Sequence, residues 1–254
     1  MGKCKRSAAR ALDWLVGEGF QVRAVVASEP DAFTVEEQRV DLVAERHGLP
    51  LVSDDELYSA AERGELADVD VVISFLFWKR IREPLISLGS IGCLNFHPAP
   101  LPDMRGVGGY NVAILERMAE WGVSCHFVDE EFDTGDLVSV ERFSIDPDAH
   151  TALSLDIESQ ERLLALFERV MGRALAGERL PRSPQGAGRY VTREEFQELR
   201  VLRPGDDLER KLRAFWYPPY PGVTVEVDGR ELTLVDEGLL GELARTYRHA
   251  GRVP

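Results

Sequence analysis

"VDVVISFLFWKRIREPLISLGSIGCLNFH", residues 69–97, decides the architecture. It opens with an apolar run rich in β-branched and aromatic residues, Val71 to Trp78, and closes with another, "GCLNF". The polar stretch between them reads as a short helix. Two buried strands joined by a helical crossover run parallel, which implies a sheet covered on both faces. The preceding sequence repeats the alternation. "SAARALDWLVGEG" (7–19) has helical apolar spacing and ends in glycines, and "QVRAVVA" (21–27) reads as a strand. "TVEEQRVDLVAERHG" (34–48) is a helix with Thr34 placed to cap it, and "SDDELYSAAERG" (53–64) carries a capping box, Ser53 with Glu56. The expected fold is α/β, a Rossmann-like, mostly parallel sheet. Such a sheet normally opens on a strand, whereas this sequence starts "MGKCKRSAAR", already the loop before a helix; the first strand is expected to be missing.

The pattern changes after the helix "GGYNVAILERMAEW" (108–121). "GVSCHFVD" (122–129) and "DLVSVERFSI" (136–145) are strand-like, and residues 151–177 form one long amphipathic helix. A loop rich in Pro, Gly, Arg and Ser (181–189) marks a boundary between a larger domain, 1–180, and a small C-terminal α+β region, 181–254. Within the latter, Asp228-Gly229 sits between two alternating runs, a hairpin signal, and "LLGELARTYRHA" (239–250) closes the chain as a helix.

A hydrophobic content of 44% with 29% charged residues is that of an ordinary globular protein. The net charge of −14 argues against broad affinity for nucleic acid or anionic membrane, both of which need clustered cations. Arginines gather between Arg182 and Arg213, which reads as a solvated face. Cys4, Cys93 and Cys125 are far apart and form no CxxC pair, so neither a disulfide framework nor a zinc site is expected. With no signal-peptide pattern at the start and no apolar run long enough to span a bilayer, a cytoplasmic location is expected.

In a parallel α/β sheet, ligands sit at the carboxyl ends of strands, where Asn95 and His97 fall. Strand residues two apart point to the same side, so both polar groups converge. Pro98, Pro100 and Pro102 then stiffen the loop. His97 alone reads as an ordinary loop histidine; the Asn-x-His-Pro context makes it a candidate. Asp133, in "EEFDTGDLV" (130–138), has a plain turn reading as well, because Asp often bonds its own backbone there. Cys93 reads as a strand residue rather than a nucleophile.

Together, "NFHPAPLPDMRG" (95–106) and "FDTGD" (132–136) form an ordered set that resembles the folate-dependent formyltransferases. "HPAPLP", "RGVGGYN" and "RAFWYPPYPG" (213–222) look most like the sugar-nucleotide members. The resemblance implies transfer of a formyl group from N10-formyltetrahydrofolate to the amine of a nucleotide-linked amino sugar, without metal. It maps Asn95, His97 and Asp133 onto a catalytic triad: His97 and the Asn95 amide to face a developing oxyanion, Asp133 to orient the imidazole and help remove a proton. It implies a pterin pocket at Phe77, Trp78, Lys79, Asp129, Glu131 and Phe132. It implies an acceptor site at Pro98, Arg105, Gly106, Gly108, Tyr110, Asn111 and Trp216. Arg105 can meet a phosphate or brace its loop, and Trp216 can stack on a ligand or pack a small domain. The competing acceptors are methionyl-tRNA and other small amines; hydrolysis of the donor and a non-catalytic binding module are the competing classes. The C-terminal hairpin is a candidate homodimer contact by analogy with relatives.

Overall fold

The computed structural model describes residues 1–249. In chain order the elements are α1 (Arg6–Gly17), α2 (Val40–Arg46), α3 (Asp54–Glu62), β1 (Val71–Phe75), β2 (Gly92–His97), β3 (Met104–Gly106), α4 (Gly109–Leu115), β4 (Glu120–Phe127), β5 (Leu137–Ser144), α5 (Ala152–Leu175), β6 (Arg189–Val191), α6 (Arg193–Arg200), α7 (Leu208–Ala214), β7 (Thr224–Val227), β8 (Arg230–Thr233) and α8 (Glu237–His249). The last residue of the expected closing helix, Ala250, lies outside the described residues. The chain divides into two compact units: residues 1–105, 122–142 and 159–189, and residues 106–121, 143–158 and 190–254.

The first unit holds most of the main sheet, whose order is β1-β2-β4-β5. β1 and β2 are parallel, and β4 runs antiparallel to β2. Three local expectations change. Residues 76–91, read as containing a short helix, form turns only. Thr34 caps no α-helix: its hydroxyl bonds Asp31, a 3-10 turn follows at Glu36–Gln38, and α2 starts at Val40. "QVRAVVA" contributes isolated parallel bridges, Val25 to Leu51 and Ala27 to Gly2, rather than a regular strand. The capping box at α3 is as expected, with Ser53 Oγ accepting from the Glu56 amide at 3.2 Å and Glu56 Oε2 accepting from the Ser53 amide at 2.8 Å.

The place assigned to a missing first strand is held by Met1 to Lys3. Phe75 N–H donates to the Met1 carbonyl at 2.9 Å, Gly2 N–H to Val26 at 2.9 Å, and Ser28 N–H to Gly2 at 3.1 Å. Behind this segment lies a cavity of about 1050 Å³, lined by Leu12, Leu15, Leu66, Leu85 and Phe167 among others.

Phe167, on α5, is the centre of the apolar packing on the α1 side of the sheet. Its ring meets Phe96 at 4.8 Å, Phe75 at 5.4 Å and Trp14 at 5.8 Å, all edge-on, the geometry that ring quadrupoles favour. Cys93 is buried in the neighbouring cluster with Val72, Ile81 and Leu85, and burial pushes its thiol up to about 12. It is an inert packing group, as expected from the sequence.

The second unit packs Ile114, Leu212, Phe215, Trp216 and Val223 with Tyr110 and Phe196. Its hairpin, β7–β8, turns at Asp228 and Gly229 with φ of +51° and +74°, the left-handed pair that matches strand twist. Among the described residues no helix is long and apolar enough to cross a membrane.

Because Phe167 is fully buried under three rings, Phe167→Ala should cost about 3–5 kcal/mol. Denaturant unfolding should show the loss as a lower midpoint with an unchanged slope.

Candidate active site

Register builds the site. Ser74 on β1 lies opposite Asn95 on β2, and Asn95 lies opposite His126 on β4. Three polar side chains therefore share one row across three strands. Ser74 Oγ donates to Asn95 Oδ1 at 2.6 Å. That fixes the amide with its NH2 turned the other way, where Nδ2 lies 3.0 Å from His126 Nε2. His126 Nδ1 lies 2.7 Å from the Phe127 carbonyl, so the network assigns the proton to Nδ1 and leaves Nε2 to accept from Asn95. One step along the register, His97 lies opposite Ser124. The Ser124 hydroxyl is buried; it accepts from Leu101 N–H at 2.9 Å and donates to the Ala99 carbonyl at 2.7 Å, holding the proline loop that starts after His97.

Asp133 completes the group from the β4–β5 turn. Its Oδ1 lies 3.5 Å from Asn95 Nδ2, 3.6 Å from His97 Nδ1 and 3.6 Å from His126 Nε2. Three nitrogens surround one carboxylate oxygen, and the two imidazole separations are those of charge proximity rather than hydrogen bonds. The structure brings all three expected catalytic residues together in one unit.

His97 is mostly buried, and burial lowers its pKa from the usual histidine value. Asp133 opposes that shift, His126 adds to it, and the Met104 carbonyl, 3.3 Å from Nε2, opposes it. The resting imidazole is therefore neutral at pH 7, yet both ring nitrogens face acceptors. A proton gained there would be met by Asp133 on one side and Met104 on the other.

The expected pterin-pocket residues stand on two loops. Phe77 leans into the apolar cluster under β1, and its ring lies 4.5 Å from that of Trp78, which is 40% exposed. Lys79 is committed elsewhere: its ammonium pairs with Asp54 at 2.8 Å and sits over the Trp78 ring. Asp129 Oδ1 accepts from Thr134 Oγ1 at 2.7 Å and from Glu131 N–H at 3.2 Å, bracing its own turn. Phe132 is 48% exposed, and Glu131 faces solvent. Arg80 donates to the Glu130 carbonyl and so ties the two loops together.

Of the expected acceptor residues, Pro98 and Arg105 belong to the first unit, and the rest to the second. Pro98 is half-buried beside His97 in sequence. Arg105 Nη2 donates to Gln185 Oε1 at 2.9 Å and to the Gly186 carbonyl at 3.0 Å, the bracing alternative. Gly106 and Gly108 have φ of +85° and +71°; a β-carbon would strike the Val191 carbonyl at 2.3 Å and the Phe196 ring at 2.2 Å. Asn111 Nδ2 donates to the Ala214 carbonyl at 2.7 Å, Tyr110 packs on Trp121, and Trp216 is core, 6% exposed. Sequence reasoning missed Ser74, His126 and Gln185. Pairing "VVISF" with "GCLNF" in register would have found the first, since it places Ser74 beside Asn95.

Asp133 is the larger of the two influences that raise the His97 pKa, so Asp133→Asn should move the His97 titration still lower, measured by imidazole NMR. A higher midpoint would contradict the assignment of charges.

Residues 17–169 match the formyl transferase family model. A methionyl-tRNA formyltransferase of Parvibaculum lavamentivorans is 30% identical over 226 residues, covering 84% of this chain and 71% of that one. A GDP-perosamine N-formyltransferase of Brucella melitensis is 31% identical over 172 residues, 66% of this chain and 65% of that one. Among solved structures, an N-formyltransferase from Helicobacter canadensis, in complex with folinic acid and dTDP-3-aminofucose, superposes with a TM-score of 0.74 at 20% identity, covering 90% of this chain and 83% of that one. The family model covers more than half of the chain, and the chain belongs to the formyl transferase family.

Proposed function

We propose that this formyltransferase moves a formyl group from N10-formyltetrahydrofolate to the amine of a nucleotide-linked amino sugar. The reading of the chemistry rests on one observation, the convergence of Asn95, His97 and His126 nitrogens on Asp133 Oδ1 in a largely buried row. Attack of an amine on a formyl carbon puts negative charge on oxygen and leaves a proton to be removed from nitrogen. The Asn95 NH2, aimed by Ser74 and His126, supplies a fixed donor to that oxygen. His97 supplies the second donor, and becoming charged there is eased by Asp133. Asp133, whose Oδ1 lies within 3.6 Å of the three nitrogens, receives the proton.

The donor supplies the formyl group. The residues present fit it: two part-exposed aromatic side chains, Trp78 and Phe132, stand on loops clasped by Arg80 and can meet a flat ring. The acceptor reading is supported by the net charge of −14, which opposes electrostatic capture of an RNA polyanion. Methionyl-tRNA is the second reading, favoured by the relative that matches over 84% of this chain.

Purified protein, given N10-formyltetrahydrofolate, should formylate dTDP-3-aminofucose or GDP-perosamine, with tetrahydrofolate formed in step and product mass raised by one formyl group. His97→Asn should lower turnover by about 10²-fold or more with its fold intact. Formylation of methionyl-tRNA alone would assign the chain to the second reading, and an undiminished rate in His97→Asn would remove the proposed chemistry.

A further inference from the structure

Asp133 reaches its three neighbours from an unusual backbone. Its φ is +58°, a left-handed conformation that a residue with a β-carbon adopts at some cost. Something must hold the turn, and part of that is internal, through Thr134 and Asp129. The turn also folds tightly onto β4, since a β-carbon at Gly135 would lie 2.0 Å from the Phe127 carbonyl.

The rest comes from a distant segment, the 181–189 loop. Gln185 Nε2 donates to the carbonyl of Asp133 at 3.1 Å and to that of Gly135 at 2.6 Å. Both hydrogens of one amide are spent on the two residues flanking Thr134. The amide cannot turn over, because Arg105 donates to Gln185 Oε1 at 2.9 Å and would face an NH2 if it did. The loop itself is pinned on both sides of Gln185. Leu137 N–H donates to the Ser183 carbonyl at 2.8 Å and Ser183 N–H returns the bond at 3.0 Å. Beyond, Gly188 lies so close to Pro102 that a β-carbon would meet its carbonyl at 1.6 Å. A half-buried Gln is thus held between a cation and two carbonyls at the catalytic turn.

We propose that Gln185 is a positioning residue for the formyl-transfer step, with Arg105 orienting its amide, and that it acts by holding the Asp133 carboxylate against His97 and Asn95. This rests on the reading of Asp133 as part of the reacting group. It assigns Arg105 to the turn rather than to an acceptor phosphate.

The test is a double-mutant cycle on kcat and on the His97 titration, using N10-formyltetrahydrofolate with whichever of dTDP-3-aminofucose, GDP-perosamine or methionyl-tRNA is formylated fastest. Gln185→Leu removes both donors. Gln185→Glu keeps the shape and sets an acceptor against two carbonyls. Each should lower kcat by roughly 10- to 100-fold, the scale of a small misplacement, with KM for the donor little changed. Gln185→Leu should also shift the His97 midpoint toward that of Asp133→Asn, whereas Gln185→Glu brings a negative charge of its own and is read on kcat. In the Asp133→Asn background, Gln185→Leu should then change neither quantity further. Arg105→Ala should lower kcat; a raised acceptor KM at unchanged kcat would return Arg105 to the acceptor site and overturn that part. Losses of Gln185→Leu and Asp133→Asn that multiply, or a His97 midpoint indifferent to Gln185, would overturn the proposal. An Asp133→Asn protein with undiminished turnover would instead remove Asp133 from the chemistry, a failure of the functional reading itself.

Discussion

The pairing of β1, β2 and β4 carries the candidate site. Strand pairing leaves one freedom, the register, and a slip by one residue turns every side chain to the other face. Here the register aligns Ser74, Asn95 and His126. An amide side chain cannot choose its own orientation, since its oxygen and nitrogen are nearly the same shape. The neighbours choose for it, Ser74 by donating and His126 by accepting. The polarity of the row therefore comes from two residues that do not themselves form the Asn-x-His motif.

Burial sets the electrostatics of the same place. His97 and Asp133 are each about seven-eighths covered, with side-chain exposures of 12% and 13%. Desolvation is the largest influence on His97 and keeps it neutral at rest, while the carboxylate works against it. These opposed effects leave an imidazole whose charge responds to what is placed beside it. Negative charge arriving nearby adds to Asp133 and tips the balance toward the protonated ring.

Much of this was legible in the sequence, and the reasons differ by element. Helices with strong caps and periodicity, such as α3 and α5, were plain because their signals are local. Asn95, His97 and Asp133 could be named because their ordered set resembles a family pattern; taken singly, the histidine reads as a loop residue and the aspartate as a turn residue. Ser74, His126 and Gln185 could not, because their significance lies in pairing between segments far apart in the chain, and a single sequence does not print its register. The 181–189 loop shows the limit most clearly. Its composition reads as a spacer, and composition cannot reveal that one amide in it grips the turn at Asp133. The aromatic "AFWYPPYPG" errs in the other direction, for Trp216 invites a stacking role and is found in the core of the second unit.

The left-handed backbone at Asp133 has a practical consequence for anyone preparing an inert version of the molecule. Alanine there would erase the carboxylate and also the short polar side chain whose local hydrogen bonding eases a left-handed backbone. Loss of function would then mix two causes. Asparagine tolerates this conformation, keeps the outline of the side chain and discards only its charge, which makes it the cleaner blank for soaking or capture experiments.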